Sequence, residues 1–431
     1  YLSKVLYAHK KLKSYCMKKN NRGFKFVGLF LTFLLLNTLN LTAQDERSQI
    51  PPLLQRSYFE VNLGYINYPF GAAQLEPGYE LSGEVNVPHM AVRLVLWGYD
   101  FNDYLAAQVT YMRPVAWVKY AYTDNARENE GYGSVWTNVG GFTLKGKLPI
   151  GNKFSIYGEG GLGIITRAGF EDANNKPVVK DANFATLLFG AGLKYHINKK
   201  WALQLVSNYS PASESRKQPS TSFVGTGFSY NFIPYTEKQI QKTAEGGMIH
   251  PKQWLQIGYT SNILGYGVNN FVSNQYFPVF WGGMAHVKQG LSLNYQRNVF
   301  HSAKFFALDW GINASVWQTT GKHGNTNRPE EQFFTFSLFP VFRLNFLQTN
   351  SFDAYFYYTV AAPTFISKKI IDGYDTGEKF TFMDNMGAGI FFGEVRRYNV
   401  ELKIGHYSNG NIFPNNEAVK IPLSLNLGYA F

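Results

Sequence analysis

The feature that most constrains this chain is the regular alternation of apolar and polar residues after residue 44. In a β-strand successive side chains point to opposite faces, so such alternation predicts strands with one apolar face. No segment in this part reaches the roughly 18 consecutive apolar residues that a membrane-spanning helix requires. The sequence therefore predicts an all-β fold. The alternating segments lie at about 58–67, 88–99, 104–113, 134–148, 153–165, 184–197, 200–210 and 221–232, and then at about 254–261, 284–299, 304–317, 332–347, 352–364, 380–393, 398–408 and 419–431.

Aromatic residues and glycine are abundant. Aromatic residues make up 17% of the chain, as many as the charged residues at 16%, and there are 41 glycines. With short turns such as 198–199 and long polar loops such as 166–183 and 318–331, this composition is typical of bacterial outer-membrane barrels. A β-sandwich or a propeller would show the same alternation, but it explains the many outward aromatic residues less readily. We therefore expect antiparallel transmembrane β-barrels that are integral to the bacterial outer membrane.

The segment 233–253 lacks strand patterning and divides the predicted strands into two sets of eight. Each set ends on an aromatic strand, SYNF at 229–232 and GYAF at 428–431. We predict two tandem eight-stranded barrels, 57–232 and 254–431, joined by a periplasmic linker at 233–253. The alternative is one sixteen-stranded barrel.

Two expectations follow from this organisation. A terminal Phe on the last strand is typical of chains delivered to the outer-membrane assembly machinery, so that machinery is an expected partner during biogenesis. Eight strands enclose an interior that side chains fill, so neither barrel should be an open pore.

The first 44 residues are predicted to hold upstream residues and a cleaved signal peptide. Met17 opens a basic stretch that precedes the apolar run FVGLFLTFLLL. Eight basic residues and no acidic ones lie in this segment, and removing it lowers the formal net charge from +12 to +4. That balance argues against a nucleic-acid partner. Cys16 is the one cysteine and lies here too, which excludes disulfides and thiolate metal sites from the mature protein.

The segment 399–417, NVELKIGHYSNGNIFPNNE, carries the candidate chemistry. His406 and Ser408 continue the apolar face of its strand, whereas Glu401 and Lys403 point to the other face. An odd-numbered strand of an even-stranded barrel runs outward from the periplasm, so His406 and Ser408 are expected at the outer rim, facing lipid.

The preceding strand, 380–393, has a single charged residue on its apolar face, Asp384. Pairing about Val395 places Asp384 opposite His406, and directly opposed side chains lie about 4.5–5.5 Å apart at Cβ. An ionisable group on a lipid face is costly and usually functional. The three groups therefore suggest a nucleophile, Ser408, a base, His406, and an orienting carboxylate. The Asn409 side chain and nearby backbone N–H groups would serve as oxyanion donors.

A plainer interpretation is that His and Ser are solvated near the headgroups and that SNGN simply forms a turn. The seventh strand of the first barrel, 201–211, also ends in Ser and Asn but has no nearby His. A Ser-Asn ending is therefore a general rim feature, and His406 is what distinguishes the second barrel. The other histidines show no ligand spacing, so no metal site is predicted.

The run HYSNGN, followed by Pro414-Asn415 and preceded by Phe382 and Asp384, resembles the outer-membrane lipid A 3-O-deacylases, also called acyloxyacyl hydrolase-like barrels. The resemblance implies that His406 is the base, Ser408 the nucleophile and Asn409 an oxyanion donor. Gly410-Asn411 replaces the family's Ala-Gly, which leaves the backbone donor at Gly410 open. The first half resembles generic small eight-stranded outer-membrane barrels.

The third member of the triad is open between two carboxylates. The family's acidic residue falls near Val419, which cannot orient a histidine, and Glu417 and Asp384 are the two candidates. We expect a serine esterase that removes an ester-linked acyl chain from lipid A or a similar outer-leaflet glycolipid. It would need no cofactor, its partner would be lipopolysaccharide, and a homodimer stays open. The alternative is a non-catalytic structural or partner-binding tandem barrel.

Overall fold

The computed structural model describes residues 46–124, 130–245, 249–272, 282–303, 305–413 and 415–431. The predicted signal peptide, with Met17 and Cys16, lies outside them. No helix within the described residues has the length and apolar character that a bilayer crossing requires.

The first barrel is a closed ring of eight antiparallel strands in sequential order. Consecutive strands pair with each other, and β8 returns to pair with β1. The strands are β1 (Ser57–Asn67), β2 (Met90–Asp100), β3 (Leu105–Pro114), β4 (Glu130–Ile150), β5 (Phe154–Ala168), β6 (Ala182–His196), β7 (Trp201–Ser210) and β8 (Thr221–Asn231).

The second barrel repeats this plan, and its first and last strands pair to close it. Its strands are β9 (Gln253–Ser261), β10 (Ala285–His301), β11 (Phe306–Thr319), β12 (Gln332–Gln348), β13 (Phe352–Ile366), β14 (Phe380–Phe392), β15 (Tyr398–Ser408) and β16 (Val419–Ala430).

Short elements decorate the loops. The helices are the 3-10 turns Glu46–Ser48, Ala72–Gln74 and Glu214–Arg216, α1 (Glu237–Glu245) in the segment between the barrels, and α2 (Gly267–Phe271) after β9. Two short strands, Tyr79–Leu81 and Val118–Asp124, extend the sheet beside β4. Small hairpins form at Phe170–Glu171 with Pro177–Val179, at Lys322–His323 with Thr326–Asn327, and at Ile370–Ile371 with Tyr374–Asp375.

The ring closures confirm the prediction of two eight-stranded barrels, and the single sixteen-stranded alternative is wrong. Strand β1 pairs with β8 over ten residues, from Tyr58 opposite Asn231 onward. The backbone N–H of Phe232 then donates to the Ser57 carbonyl at 2.8 Å. The physical reason is that every edge hydrogen bond of β8 is satisfied by β1, so no edge remains for β9 to extend.

The two faces of each sheet differ as the alternation predicts. Outward side chains on the first barrel are large, apolar and exposed, such as Leu203 (51%), Leu205 (54%) and Phe142 (56%). Inward side chains are polar and buried, such as Glu60 and Lys145, both 0% exposed. An apolar outer band around a polar interior is the arrangement that a lipid bilayer requires of a barrel.

An ion-pair network fills the lumen of the first barrel. Glu60 lies between the ammonium groups of Lys145 at 3.0 Å and Lys194 at 2.7 Å. Arg93 bridges to a second carboxylate, Glu159, at 2.6 Å. These charges come from five different strands, so each pair ties separate walls of the ring together and the lumen is occupied by side chains.

Polar side chains also meet in the lumen of the second barrel. The Arg343 guanidinium donates twice to Asp309, at 2.9 and 3.0 Å, and lies over the Trp254 ring at 5.4 Å from its centroid. Glu401 accepts hydrogen bonds from the hydroxyls of Tyr355 and Tyr357 at 3.0 and 2.9 Å. Glu401 therefore points inward, on the face opposite His406, as the alternation predicted.

The sequence GEGGLG at 158–163 lies within β5, and two of its glycines differ in the space around them. A Cβ at Gly161 would lie 2.2 Å from the Phe142 carbonyl oxygen, whereas a Cβ at Gly158 meets nothing nearer than 4.0 Å. We expect Gly161→Ala to destabilise the barrel by about 1–3 kcal/mol, because the neighbouring backbone must move, and Gly158→Ala to be tolerated. Urea unfolding of the two variants measures the difference, and equal midpoints would contradict it.

Candidate functional site

The candidate residues lie at one end of adjacent strands in the second barrel. Strand β15 follows a short turn after β14, and Ser408 is its last residue before the longer loop 409–418. Short turns of outer-membrane barrels are periplasmic and long loops external, so this end is the external one. Asp384 pairs directly with His406 and Phe382 with Ser408, which is the predicted register.

The Asp384 carboxylate is oriented from both sides. Its Oδ2 lies 3.5 Å from His406 Nε2. Its Oδ1 accepts a hydrogen bond of 2.6 Å from the backbone N–H of Ala361. Ala361 sits in a register shift of β13 and has a φ of 50°, in the left-handed region. The irregularity thus aims a backbone donor at the carboxylate, a use of β-bulges common near functional sites.

His406 faces outward but is covered rather than open to lipid, which corrects the expected exposure. Its side chain is 3% exposed. Lys420, which pairs with His406 across the sheet, donates to Asn270 of α2 at 2.8 Å. Asn269 of the same helix donates to the Ile421 carbonyl at 2.8 Å. Helix α2 therefore lies against the outer wall beside the imidazole, which strand alternation could not reveal.

Ser408 is held by the loop that follows it. Among the described residues the hydrogen-bond partners of the Ser408 hydroxyl are Asn416 and Gly410. The Asn416 side-chain N–H donates to Ser408 Oγ at 3.0 Å, and the Gly410 backbone N–H donates to the same oxygen at 3.2 Å. Two donors therefore already converge on the hydroxyl oxygen. The sequence did not point to Asn416, although Asn416 directly follows the Pro414-Asn415 pair on which the resemblance rests. Pro414 itself lies outside the described residues.

Asn409 is fully buried, and its side-chain amide binds the loop backbone. Its Nδ2 donates to the carbonyls of Thr376 at 3.0 Å and Asn415 at 2.6 Å. Its backbone N–H donates to Asn416 Oδ1 at 3.0 Å. These contacts give Asn409 the role of holding the loop together, and the amide N–H groups aimed at Ser408 come from Asn416 and Gly410 instead.

The two carboxylates left open by the sequence lie in different surroundings. Glu417 is exposed, and its Oε2 accepts a hydrogen bond of 2.6 Å from the backbone N–H of Asp375. Among the described residues the hydrogen-bond partners of Glu417 are Asp375 and Met284, and not His406. Val419 pairs with Tyr407 and is buried on the inward face. Asp384 is therefore the carboxylate that the structure brings to the imidazole.

Metal-binding groups are not gathered at this site or elsewhere in the described part of the chain. No three His, Cys, Asp or Glu side chains there are arranged to hold a metal ion. The constellation is instead a hydroxyl, an imidazole, a carboxylate and amide donors, which is the set used for acyl transfer.

Each half of the chain matches a family model. Residues 289–430 match the model of the family lipid A 3-O-deacylase (PagL), and residues 31–232 match the outer membrane protein beta-barrel domain. The second barrel resembles the lipid A 3-O-deacylases. No curated protein matches the chain. The protein is integral to the outer membrane and is lipid A deacylase-like in its second barrel.

Several solved structures that match this chain each cover about two fifths of it. The outer membrane enzyme PagL is 14% identical and covers 41% of this chain and 99% of its own, with a TM-score of 0.28. The N-terminal β-barrel domain of Pseudomonas aeruginosa OprF is 15% identical and covers 41% of this chain and 98% of its own, with a TM-score of 0.26. Neisserial surface protein A is 13% identical and covers 41% of this chain and 98% of its own, with a TM-score of 0.27.

Proposed function

We propose that the second barrel is a serine esterase that removes an ester-linked acyl chain from lipid A or a similar outer-leaflet glycolipid. The observation that carries the proposal is the outward, external-end placement of His406 beside Asp384, with Ser408 two residues further along the same face. A lipid ester in the outer leaflet would reach the site at Ser408, which is partly exposed, whereas His406 is covered. The match of residues 289–430 to the lipid A 3-O-deacylase family supports the substrate class.

In the proposed reaction, Ser408 Oγ attacks the ester carbonyl carbon and passes its proton to the His406 imidazole. Asp384 accepts from Nε2–H and stabilises the imidazolium, so Nδ1 is the ring nitrogen that takes the proton. The tetrahedral intermediate then collapses, the C–O bond to the sugar breaks, and the departing oxygen receives the proton from His406. Water then attacks the carbonyl carbon of the acyl-serine while His406 takes its proton. The bond to Ser408 Oγ breaks, Oγ receives that proton from His406, and the fatty acid is released. Hydroxyl, imidazole and carboxylate suffice, so no cofactor is needed.

Ser408 must change partners before it attacks. Its hydroxyl is engaged by Asn416 and Gly410, while His406 lies two residues back on the same face. A rotation about the Ser408 χ1 angle would turn Oγ toward the imidazole. The Asn416 side-chain N–H and the Gly410 backbone N–H would then be left pointing at the developing oxyanion. Donors positioned in this way stabilise the transition state more than the ground state.

The test is mass spectrometry of lipid A from cells that express the wild-type chain or Ser408→Ala. We expect the wild type to remove one acyl chain, together with release of the matching free fatty acid, and Ser408→Ala to leave lipid A intact. Trypsin accessibility and circular dichroism of purified membranes establish that both proteins are folded. An unchanged lipid A mass with folded wild-type protein would instead favour the non-catalytic structural or partner-binding barrel.

A further inference from the structure

The outer wall of the first barrel carries a polar patch where lipid-facing residues are otherwise apolar. The patch consists of Tyr111 on β3, Asn138 on β4, Thr166 on β5 and Asn183 on β6, near the external ends of four adjacent strands. Asn138 and Thr166 are 4% and 2% exposed. Further down the same faces, Phe142 and Leu162 are 56% and 49% exposed. Another part of the molecule therefore covers the polar patch, whereas the apolar band below it stays exposed.

The cover is the loop that follows Ser408. Tyr111 donates its hydroxyl proton to the Gly410 carbonyl at 3.1 Å, and Asn138 donates to the Asn411 carbonyl at 3.0 Å. Thr166 and Asn183 both donate to the Ile412 carbonyl, at 2.8 and 2.5 Å. Three successive carbonyls of the second barrel are thus bound by side chains of the first.

These contacts set the directions of the N–H groups of Asn411, Ile412 and Phe413, which share peptide planes with the three bound carbonyls. In a planar trans peptide the C=O of one residue and the N–H of the next point opposite ways. With the Gly410 carbonyl bound to Tyr111, the N–H of Asn411 is directed away from the first barrel. Gly410 and Asn411 have φ angles of 63° and 58°, so both adopt the left-handed conformation. The Gly410 N–H, one of the two donors to Ser408, lies in the preceding peptide plane, whose Asn409 carbonyl accepts from the Ile412 N–H at 3.1 Å within the same turn.

We infer that the first barrel is a positioning domain for the candidate site: Tyr111, Asn138 and Thr166 hold the loop 409–413 so that the Gly410 N–H faces Ser408 Oγ. The inference rests on the proposed ester hydrolysis and assigns a task to the first barrel. These three are positioning residues, because each acts through the loop. A single barrel would have to hold this loop by other means.

The experiment uses the full chain and a triple variant, Tyr111→Phe, Asn138→Leu and Thr166→Val, which removes the donors at nearly constant volume. We expect kcat for fatty-acid release to fall roughly tenfold to a hundredfold with KM little changed, since displaced oxyanion donors affect mainly the transition state. A second triple variant keeps Tyr111→Phe and Asn138→Leu but carries Thr166→Ser, which restores a hydroxyl at position 166. It should recover part of kcat. The matched control is Tyr209→Phe, which removes a hydroxyl from an exposed tyrosine near the external end of β7 and should leave kcat unchanged.

Hydrogen exchange of the loop separates this inference from the proposed function. Peptides covering 405–413 should exchange faster in the triple variant than in the wild type, whichever lipid is offered. Unchanged exchange, an unchanged kcat in an active enzyme, or an equal fall in Tyr209→Phe would overturn the positioning role. If the wild type releases no fatty acid while the loop loses protection in the variant, hydrolysis fails but the contact between the barrels stands.

Discussion

Replacing Asp384 with asparagine is expected to lower kcat for acyl-ester hydrolysis by roughly 10³–10⁴-fold, the order of magnitude seen when the carboxylate of a Ser-His-Asp triad becomes an amide. Asp384 lies 3.5 Å from His406 Nε2 and is fixed by the Ala361 N–H. An amide at this position cannot stabilise the imidazolium, and its N–H group favours the wrong imidazole tautomer. Release of fatty acid from lipid A in detergent micelles, with the lipid in excess, measures kcat directly.

Glu417→Gln is the matched control for this prediction. Glu417 accepts from the Asp375 backbone N–H, and the side-chain oxygen of glutamine can accept the same hydrogen bond. We therefore expect Glu417→Gln to retain nearly wild-type kcat. A large loss in Glu417→Gln together with a small loss in Asp384→Asn would reverse the assignment. Circular dichroism establishes that both variants keep the barrel.

Arg343→Met is expected to destabilise the second barrel by about 3–5 kcal/mol, because it leaves the Asp309 carboxylate buried without its charge partner. The two side chains are 2% and 0% exposed, and the guanidinium donates to both carboxylate oxygens. The double variant Arg343→Met with Asp309→Leu should recover much of the loss, because the isolated charge is then gone. Urea unfolding of the refolded protein provides the free energies.

An exposed ion pair of the same barrel is the control for burial. Lys288 Nζ lies 2.6 Å from Glu330 Oε1, and the two side chains are 43% and 36% exposed. Lys288→Met should cost less than about 1 kcal/mol, since water and salt screen exposed charges. If Arg343→Met and Lys288→Met lowered the free energy of unfolding equally, burial would not explain the strength of the ion pair in the lumen. A double variant as unstable as Arg343→Met would likewise contradict the argument from an uncompensated charge.

The candidate site was partly accessible from sequence because its core elements follow strand geometry. Alternation fixed the outward face of His406 and Ser408, and the short turn after β14 set the register that pairs Asp384 with His406. The role of Asn416 was not accessible, because it acts from an irregular loop for which no periodic rule applies. Its nearest signal was its position directly after the Pro-Asn pair.

The covering of the site was also beyond the sequence. Neither the helix Gly267–Phe271 beside Lys420 nor the polar patch on the first barrel can be derived from alternation, since both contacts join residues far apart in the chain. Asn138 and Thr166 look like ordinary strand residues in the sequence. Their burial in the structure marks a contact, because a polar group on a lipid-facing wall needs a partner.

The sequence by itself determined the two all-β units, the polar lumen and apolar outer face, and the end of the strand where the imidazole lies. These follow from a period of two and from turn lengths, which are local. Only the tertiary structure decided which carboxylate meets His406, which amides meet Ser408, and that one barrel holds the loop of the other. Those outcomes depend on loop conformation and on contacts between distant strands, where backbone hydrogen bonds and burial of polar groups outweigh local preference.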